Sequence, residues 1–100
     1  MKAFRTFDLA VSFYRMSATM KMKGPLRDQF ARAALSIPLN LSEGRGRATR
    51  KDQVRFFQIA LGSARECQAL LTIANLTETE AWKLLDSLAG HLYKLIRNAH

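Results

Sequence analysis

The chain has one cysteine, two histidines and two prolines among its 100 residues. Because Cys67 is alone, an internal disulfide is excluded, which is typical of proteins in a reducing cytoplasm. The two histidines, His91 and His100, lie nine positions apart, and no cluster of histidine, cysteine and carboxylate residues has the spacing of a metal site. The sequence therefore predicts neither a metal nor any other cofactor.

Long hydrophobic runs are also missing. Arg5, Asp8 and Arg15 interrupt the N-terminal segment before it reaches the length of a signal-peptide core. The run between Arg55 and Arg65 is nine residues long, far below the roughly 20 that a membrane-spanning helix needs. These absences predict a soluble, cytoplasmic protein.

Acidic residues are scarce relative to basic ones. Sixteen Lys and Arg face eight Asp and Glu, giving a formal net charge of +8. Such an excess favours an anionic partner; the alternative is that the charge only keeps an oligomer soluble. Glu43 and Asp52 flank the most basic segment, but both have simpler roles near helix ends than general acid-base catalysis. The sequence predicts no enzyme and no catalytic residues.

The remaining sequence shows four helical patterns and no strand-like alternation. Helix one is predicted from about Asp8 to Lys21, with apolar residues on two stripes. Such a helix indicates either oligomerisation or one unusually wide core face, and the pattern leaves both open. The first stripe contains Phe7, Val11, Tyr14 and Ala18, and the second contains Leu9, Phe13, Met16 and Met20.

Helix two is predicted from Pro25 to Glu43, after a break at Gly24. Its apolar stripe continues past Pro38, which predicts a kinked helix rather than a stop, with Ser36 or Asn40 satisfying the freed backbone groups. Gly44 follows the stripe and is expected to close the helix in a left-handed conformation.

Helix three is predicted from about Arg50, with Thr49 as its N-cap, to about Asn75. Phe56 and Phe57 are expected in its core face, and Gly62 lies in a small-residue patch that would let another helix approach closely. Helix four is expected to be capped by Thr77 with Glu80, and its apolar stripe runs to Ala99.

Short connections between these helices favour antiparallel neighbours. The predicted fold is therefore all-α, an up-down-up-down four-helix bundle that forms a single domain over residues 1–100.

The positive charge is concentrated around the turn between helices two and three. A helix N-terminus carries partial positive charge, so Arg50 and Lys51 in the first turn of helix three are unfavourable for the helix itself. Free N–H groups, the dipole and clustered guanidinium groups together favour phosphate, the alternative being an ordinary solvated loop. The primary candidates are Arg45, Arg47, Arg50, Lys51 and Arg55, and the second choices are Lys21, Lys23 and Arg27.

Two segments, "SIPLNLSEGRGR" and "FFQIALGSARE", resemble a known family. It is the four-helix-bundle family encoded in intervening sequences of bacterial large-subunit ribosomal RNA genes, which includes the accessory variability determinant of diversity-generating retroelements. The resemblance extends over essentially the whole chain. Its motif residues include Ser36, Pro38, Asn40, Glu43, Gly44, Gly62, Ser63 and Glu66.

The resemblance implies a barrel-like homopentamer of antiparallel bundles. In the retroelement branch it also implies a basic surface that binds nucleic acid and an association with a reverse transcriptase. The leading hypothesis is thus a non-enzymatic, homo-oligomeric bundle that binds RNA or DNA through backbone phosphates. The alternative hypothesis is an interaction scaffold that docks an acidic protein without binding nucleic acid.

Overall fold

Four helices account for most of the chain in the computed structural model, which describes residues 2–98 and the side chains of residues 5–98. They are α1 (Lys2–Ser17), α2 (Gly24–Arg45), α3 (Arg50–Ile73) and α4 (Glu80–Arg97), and no strand occurs within this range. The predicted all-α class is confirmed. Ala99, where the predicted stripe of helix four ends, and His100 lie outside the described residues.

Each helix packs against its neighbours in a closed ring, in which α1 contacts α2 and α4, and α3 contacts α2 and α4. Side-chain pairs between α2 and α3 show their relative direction, because Gln29 contacts Glu66 whereas Ser36, further along α2, contacts the earlier residue Ser63. The two helices are therefore antiparallel. Short connections place every helix beside the next one, so the bundle has the predicted up-down-up-down topology.

The line of fully buried residues on α1 takes only Phe13 from the predicted stripes, and its other members belong to neither stripe. Further residues of both stripes flank this line and pack half-buried against the core. Within the single chain α1 thus contributes one wide core face, and oligomerisation through this helix stays a prediction. The buried line consists of Thr6, Ala10, Phe13 and Ser17. α1 also begins before Asp8 and ends before Lys21.

Helix α2 continues through Pro38, as its apolar stripe predicted, and Pro38 is buried. The amide nitrogen of Asn40 donates to the carbonyl oxygen of Ser36 at 2.9 Å and lies 3.0 Å from the Ser36 hydroxyl. The hydrogen bond lost at Pro38 is a different one, because proline has no N–H to donate to the carbonyl of Ala34. Asn40 therefore supports the backbone beside the proline rather than replacing the missing bond.

Gly44 does not close α2 in a left-handed conformation, so that prediction was wrong. The helix runs on to Arg45, and its C-cap is Gly46 in a right-handed conformation with φ −82°. Gly44 is buried against α3, where an added Cβ would lie 2.8 Å from Phe57 Cε1 and 2.9 Å from Phe56 Cβ. Gly44 therefore lacks a side chain because α2 and α3 pack closely at this position, not because the backbone turns there.

Close packing at Gly62 was also predicted wrongly for the single chain. Gly62 is exposed, and a Cβ there would meet nothing within 4 Å. Its neighbours Ala60 and Ala64 are buried, and Ser63 contacts Ser36 across the α2–α3 interface at 2.8 Å. Within one chain, the close approach of these two helices is made at Gly44.

The N-cap of α3 is Thr49, as predicted, with its hydroxyl accepting from the N–H of Asp52 at 3.2 Å. The cap of α4 is Thr79 rather than Thr77. The α3–α4 connection explains the difference, because Asn75 adopts a positive φ of 60° and the N–H of Leu76 returns to Leu71 O at 2.8 Å. Because this Schellman motif extends to Leu76, α4 begins further along the chain.

None of the helices within residues 2–98 is both long enough and apolar enough to span a membrane.

Candidate nucleic-acid interface

The turn between α2 and α3 brings the five primary cations to one end of the bundle. Helix α2 ends at Arg45, Gly46 donates its N–H towards Ser42 O and Glu43 O, and α3 begins at Arg50. Arg47 lies in this turn, whereas Lys51 and Arg55 lie in the first two turns of α3. The five predicted residues therefore lie at the same end of the bundle.

Two of these arginines share an aromatic ring. The guanidinium carbons of Arg47 and Arg55 lie 4.6 Å and 5.1 Å from the centroid of the Phe56 ring. Phe57 is buried as predicted, but Phe56 is only half-buried, so its assignment to the core needs correction. Phe56 acts as a platform that restricts both guanidinium groups, because a cation within about 6 Å of a ring centroid is attracted to its face.

Arg47 also pairs with Glu43, with Nη2 2.8 Å from Oε2. Both side chains remain about half exposed, at 42% and 53%, so this is a surface pair of small net stabilisation. Such a pair orients the guanidinium group without neutralising the loop. The carbonyl of Arg47 accepts a bond from the side-chain amide of Gln53 at 3.1 Å, which holds the turn against α3.

Arg50, Lys51 and Arg55 line a surface cleft of about 490 Å³ on α3. Among the side chains that the structure describes, none of these three residues forms an ion pair. They surround the first turn of α3, where backbone N–H groups and the helix dipole also favour negative charge. The arrangement can hold a phosphate oxygen with both backbone and side-chain donors. The other lining residues are Asp52, Val54 and Gln58.

Arg45 has a different environment from the other four. It is half-buried, takes part in an interaction within the chain, and lines a cleft that also contains Asp8. We therefore place Arg45 at the edge of the candidate surface, and Arg50, Lys51 and Arg55 at its centre.

The second-choice cations lie at the opposite end of the bundle. Arg27 and Arg45 are separated by 18 residues of one helix, a distance of about 27 Å. Arg27 donates to Met20 O at 3.0 Å and to Ala18 O at 3.3 Å, so it binds carbonyls that follow the end of α1. Lys21 and Lys23 are exposed in the α1–α2 connection. The structure does not join these three residues to the loop cations.

Other cations, which the sequence analysis did not select, do share the end of the primary cluster. Arg5 lies near the start of α1, and Lys94 and Arg97 lie in the last turn of α4. In an antiparallel bundle these helix ends meet the α2–α3 turn. We call this region of the described chain the basic end: its cations are Arg5, Arg45, Arg47, Arg50, Lys51, Arg55, Lys94 and Arg97, and its carboxylates are Asp8, Glu43 and Asp52.

Several polar residues of the two sequence segments that carry the resemblance have structural roles that support this end. Ser36, Asn40 and Ser63 form a hydrogen-bonded group between α2 and α3. The amide nitrogen of Gln29 donates to the carboxylate of Glu66 further along the same interface. Together with Gly44, these contacts hold α2 and α3 in register, and the register determines where the basic turn lies.

Cys67 is fully buried in the core. Burial, with a smaller contribution from the charge of Glu66, raises the pKa of its thiol to about 12. The reactive thiolate form is therefore suppressed at neutral pH, so the environment of Cys67 is that of a small core residue rather than of a nucleophile.

Comparisons with known proteins agree with this architecture. Residues 4–98 match a family model described as 23S rRNA-intervening sequence protein. The chain is also similar to a solved protein of unknown function from the S23 ribosomal protein family of Bacteroides thetaiotaomicron, with a TM-score of 0.86 and 20% sequence identity. That match covers 98% of this chain and 100% of the other, and at this identity it shows the fold alone. No curated protein matched the sequence.

Proposed function

The chain belongs to the 23S rRNA-intervening sequence protein family, and on that premise we propose that it is a non-enzymatic, homo-oligomeric four-helix bundle that binds RNA or DNA through backbone phosphates. The observation that carries this proposal is the charge of the basic end, where eight cationic side chains face three carboxylates. Arg50 and Lys51 oppose the dipole of their own helix, so helix stability does not account for them. A polyanion bound at the start of α3 accounts for both cations.

The same geometry favours contacts with the backbone over recognition of bases. Phe56 is the aromatic ring beside the basic turn, and its faces are approached by two guanidinium groups. It is therefore poorly placed to stack on a base, whereas arginine and lysine at the surface contact phosphate in any sequence. We expect binding with little sequence preference.

Homo-oligomerisation is supported by an apolar area on the outer side of α2 and α3. Leu35 and Leu39 on α2 are 40% and 58% exposed, and Ile59 on α3 is 42% exposed. The contact between Ser36 and Ser63 places these residues at similar heights along the bundle, next to the open position at Gly62. A second copy would cover this area, and a pentamer is the assembly that the family resemblance implies.

Gly62 and Gly90 provide a matched test of that assembly. Both are exposed helix-interior glycines with nothing within 4 Å of an added Cβ, but Gly62 lies in the apolar area and Gly90 lies on α4. Gln at either position should stabilise an isolated helix by about 0.5 kcal/mol. We expect Gly62→Gln to shift the mass measured by light scattering towards the monomer and Gly90→Gln to leave it unchanged. An unchanged mass for both variants would contradict assembly through this area.

A reverse transcriptase is the protein partner that the resemblance adds to the proposal. A scaffold that docks an acidic protein without touching nucleic acid would use the same cations, so the two functions must be separated by direct binding. The described residues contain no feature that favours the scaffold over a nucleic acid.

The experiment is a titration of the purified protein with fluorescent duplex DNA, single-stranded RNA and polyglutamate at several salt concentrations. We expect both nucleic acids to bind, with log affinity falling linearly with log salt at about −0.9 per phosphate contacted for the duplex and about −0.7 for the single strand. Polyglutamate should bind more weakly. Folded protein that binds polyglutamate but neither nucleic acid at low salt would support the scaffold and refute the proposed function.

A further inference from the structure

A second cleft lies between α1 and α4 at the basic end. It has a volume of about 230 Å³ and is lined by Arg5, Thr6, His91, Lys94 and Leu95. Arg5 and Lys94 are exposed, whereas Thr6 is buried. This cleft shares no lining residue with the one on α3, and α4 contacts both α1 and α3 in the ring of helices.

Neither helix stability nor ion pairing fully explains the positive charge of this cleft. Arg5 lies near the N-terminus of α1, where the helix dipole disfavours a cation, although Lys94 near the C-terminus of α4 is favourable for its helix. No carboxylate lines the cleft, and neither cation forms an ion pair with any side chain that the structure describes. Two positive groups thus face the same concave surface without a negative partner.

His91 also lines this cleft, and its hydrogen bond shows which ring nitrogen carries the hydrogen. Its Nδ1 lies 2.8 Å from Ser87 O, and because a carbonyl only accepts hydrogen bonds, Nδ1 must carry the hydrogen. With this tautomer Nε2 is an acceptor, so it does not donate a hydrogen bond to an anion. Arg5 and Lys94 are therefore the permanent cationic groups of the cleft.

We propose that the cleft between α1 and α4 is a second phosphate-binding site, with Arg5 and Lys94 as its contacts, so that one nucleic-acid strand crosses the end of α4 between the two clefts. This inference rests on the proposed function. Adjacent helices pack 8–10 Å apart, so the path from α3 across α4 to α1 is about 15–20 Å. At one phosphate per about 3.4 Å of axis, a path of this length corresponds to roughly five phosphates of a duplex strand, and to fewer in an extended single strand.

The test compares wild-type protein with the double variant Arg5→Gln/Lys94→Gln, using a fluorescent 20-nucleotide single-stranded RNA. The loss of one phosphate contact should make the salt slope shallower by about 0.7 and weaken binding about fivefold at 0.1 M salt. The charge-preserving variant Arg5→Lys/Lys94→Arg should retain most of the affinity, and its far-UV circular dichroism should match that of the wild type. Lys21→Gln/Lys83→Gln removes the same charge far from the basic end and serves as the control.

Equal losses in the two Gln variants would overturn the second site, because they would show an effect of net charge rather than of a contact. Wild-type affinity in Arg5→Gln/Lys94→Gln would also overturn it, while leaving binding at α3 intact. If wild-type protein binds no RNA at low salt, the proposed function fails and the second site fails with it. A loss confined to Arg5→Gln/Lys94→Gln, with restoration by the charge-preserving variant, supports the proposal.

Discussion

Replacing Gly44 with alanine is expected to lower the free energy of unfolding by about 2 kcal/mol, which is typical of an extra methyl group forced into a packed core. The new Cβ would lie 2.8 Å from Phe57 Cε1 and 2.9 Å from Phe56 Cβ. Phe57 is buried, and Phe56 Cβ is attached directly to the backbone of α3, so neither atom can move without shifting its surroundings. The expected consequence is separation of α2 from α3 where the basic turn is anchored.

Gly90→Ala is the matched control for this substitution. Gly90 is also a helix-interior glycine, but nothing lies within 4 Å of an added Cβ. Alanine there should raise the free energy of unfolding by about 1 kcal/mol through helix propensity alone. Urea denaturation followed by circular dichroism measures both variants. If Gly44→Ala is as stable as the wild type, the close packing of α2 on α3 at this residue is disproved.

The conformation of Gly44 was predicted wrongly because two different structural positions produce the same sequence pattern. A glycine after an apolar stripe is expected at a helix end, but a glycine buried at a helix crossing produces the same pattern, since both positions exclude a side chain. Only the position of α3 distinguishes them, and that depends on contacts between residues more than ten positions apart. The second glycine, Gly46, is the residue that follows the end of α2.

The triple variant Arg50→Gln/Lys51→Gln/Arg55→Gln is expected to bind duplex DNA about a hundredfold more weakly than the wild type at 0.1 M salt. These three residues line the central cleft, and each lacks an ion-pair partner among the described side chains. Loss of three phosphate contacts removes the associated counterion release, which accounts for an effect of this size. Fluorescence anisotropy with a labelled duplex measures the affinities.

Lys21→Gln/Lys23→Gln/Lys83→Gln is the appropriate control, because it removes three charges from exposed residues away from the basic end. It should weaken binding only a few fold, through the reduced net charge. Urea denaturation should show both triple variants folded, since all six side chains are exposed. The loss of Arg50 and Lys51 from the first turn of α3 should raise the stability of the first variant slightly. A hundredfold loss in the control would mean that the whole surface contributes and that no defined site exists.

The primary cations could be selected from the sequence because they are close together along the chain and because two of them, Arg50 and Lys51, oppose the dipole of α3. The predicted helices and the Thr49 cap come from equally local signals and are confirmed by the structure. Arg5, Lys94 and Arg97 could not be selected in that way, because they are brought to the basic end only by the antiparallel packing of α1 and α4. Charge counted along the chain also grouped Lys21, Lys23 and Arg27 with the loop, although α2 separates them.

Two further errors concern threonine and serine side chains. Thr77 and Thr79 have similar intrinsic ability to cap a helix, and the choice between them depends on how the preceding helix ends at Asn75 and Leu76. In α1, the apolar stripes were assigned without Thr6 and Ser17, polar residues that are buried. Ser17 satisfies its hydroxyl by donating to Tyr14 O at 2.6 Å, a local bond that hydrophobic patterning does not reveal.

The measurement that tests the central claim most directly is the salt dependence of duplex binding by the wild type and by the two triple variants. If phosphates contact the basic end, the slope of log affinity against log salt should become shallower by about 2 to 3 in Arg50→Gln/Lys51→Gln/Arg55→Gln and stay close to the wild-type value in Lys21→Gln/Lys23→Gln/Lys83→Gln. Equal slopes for all three proteins, with each of them folded, would contradict a nucleic-acid site at this end of the bundle.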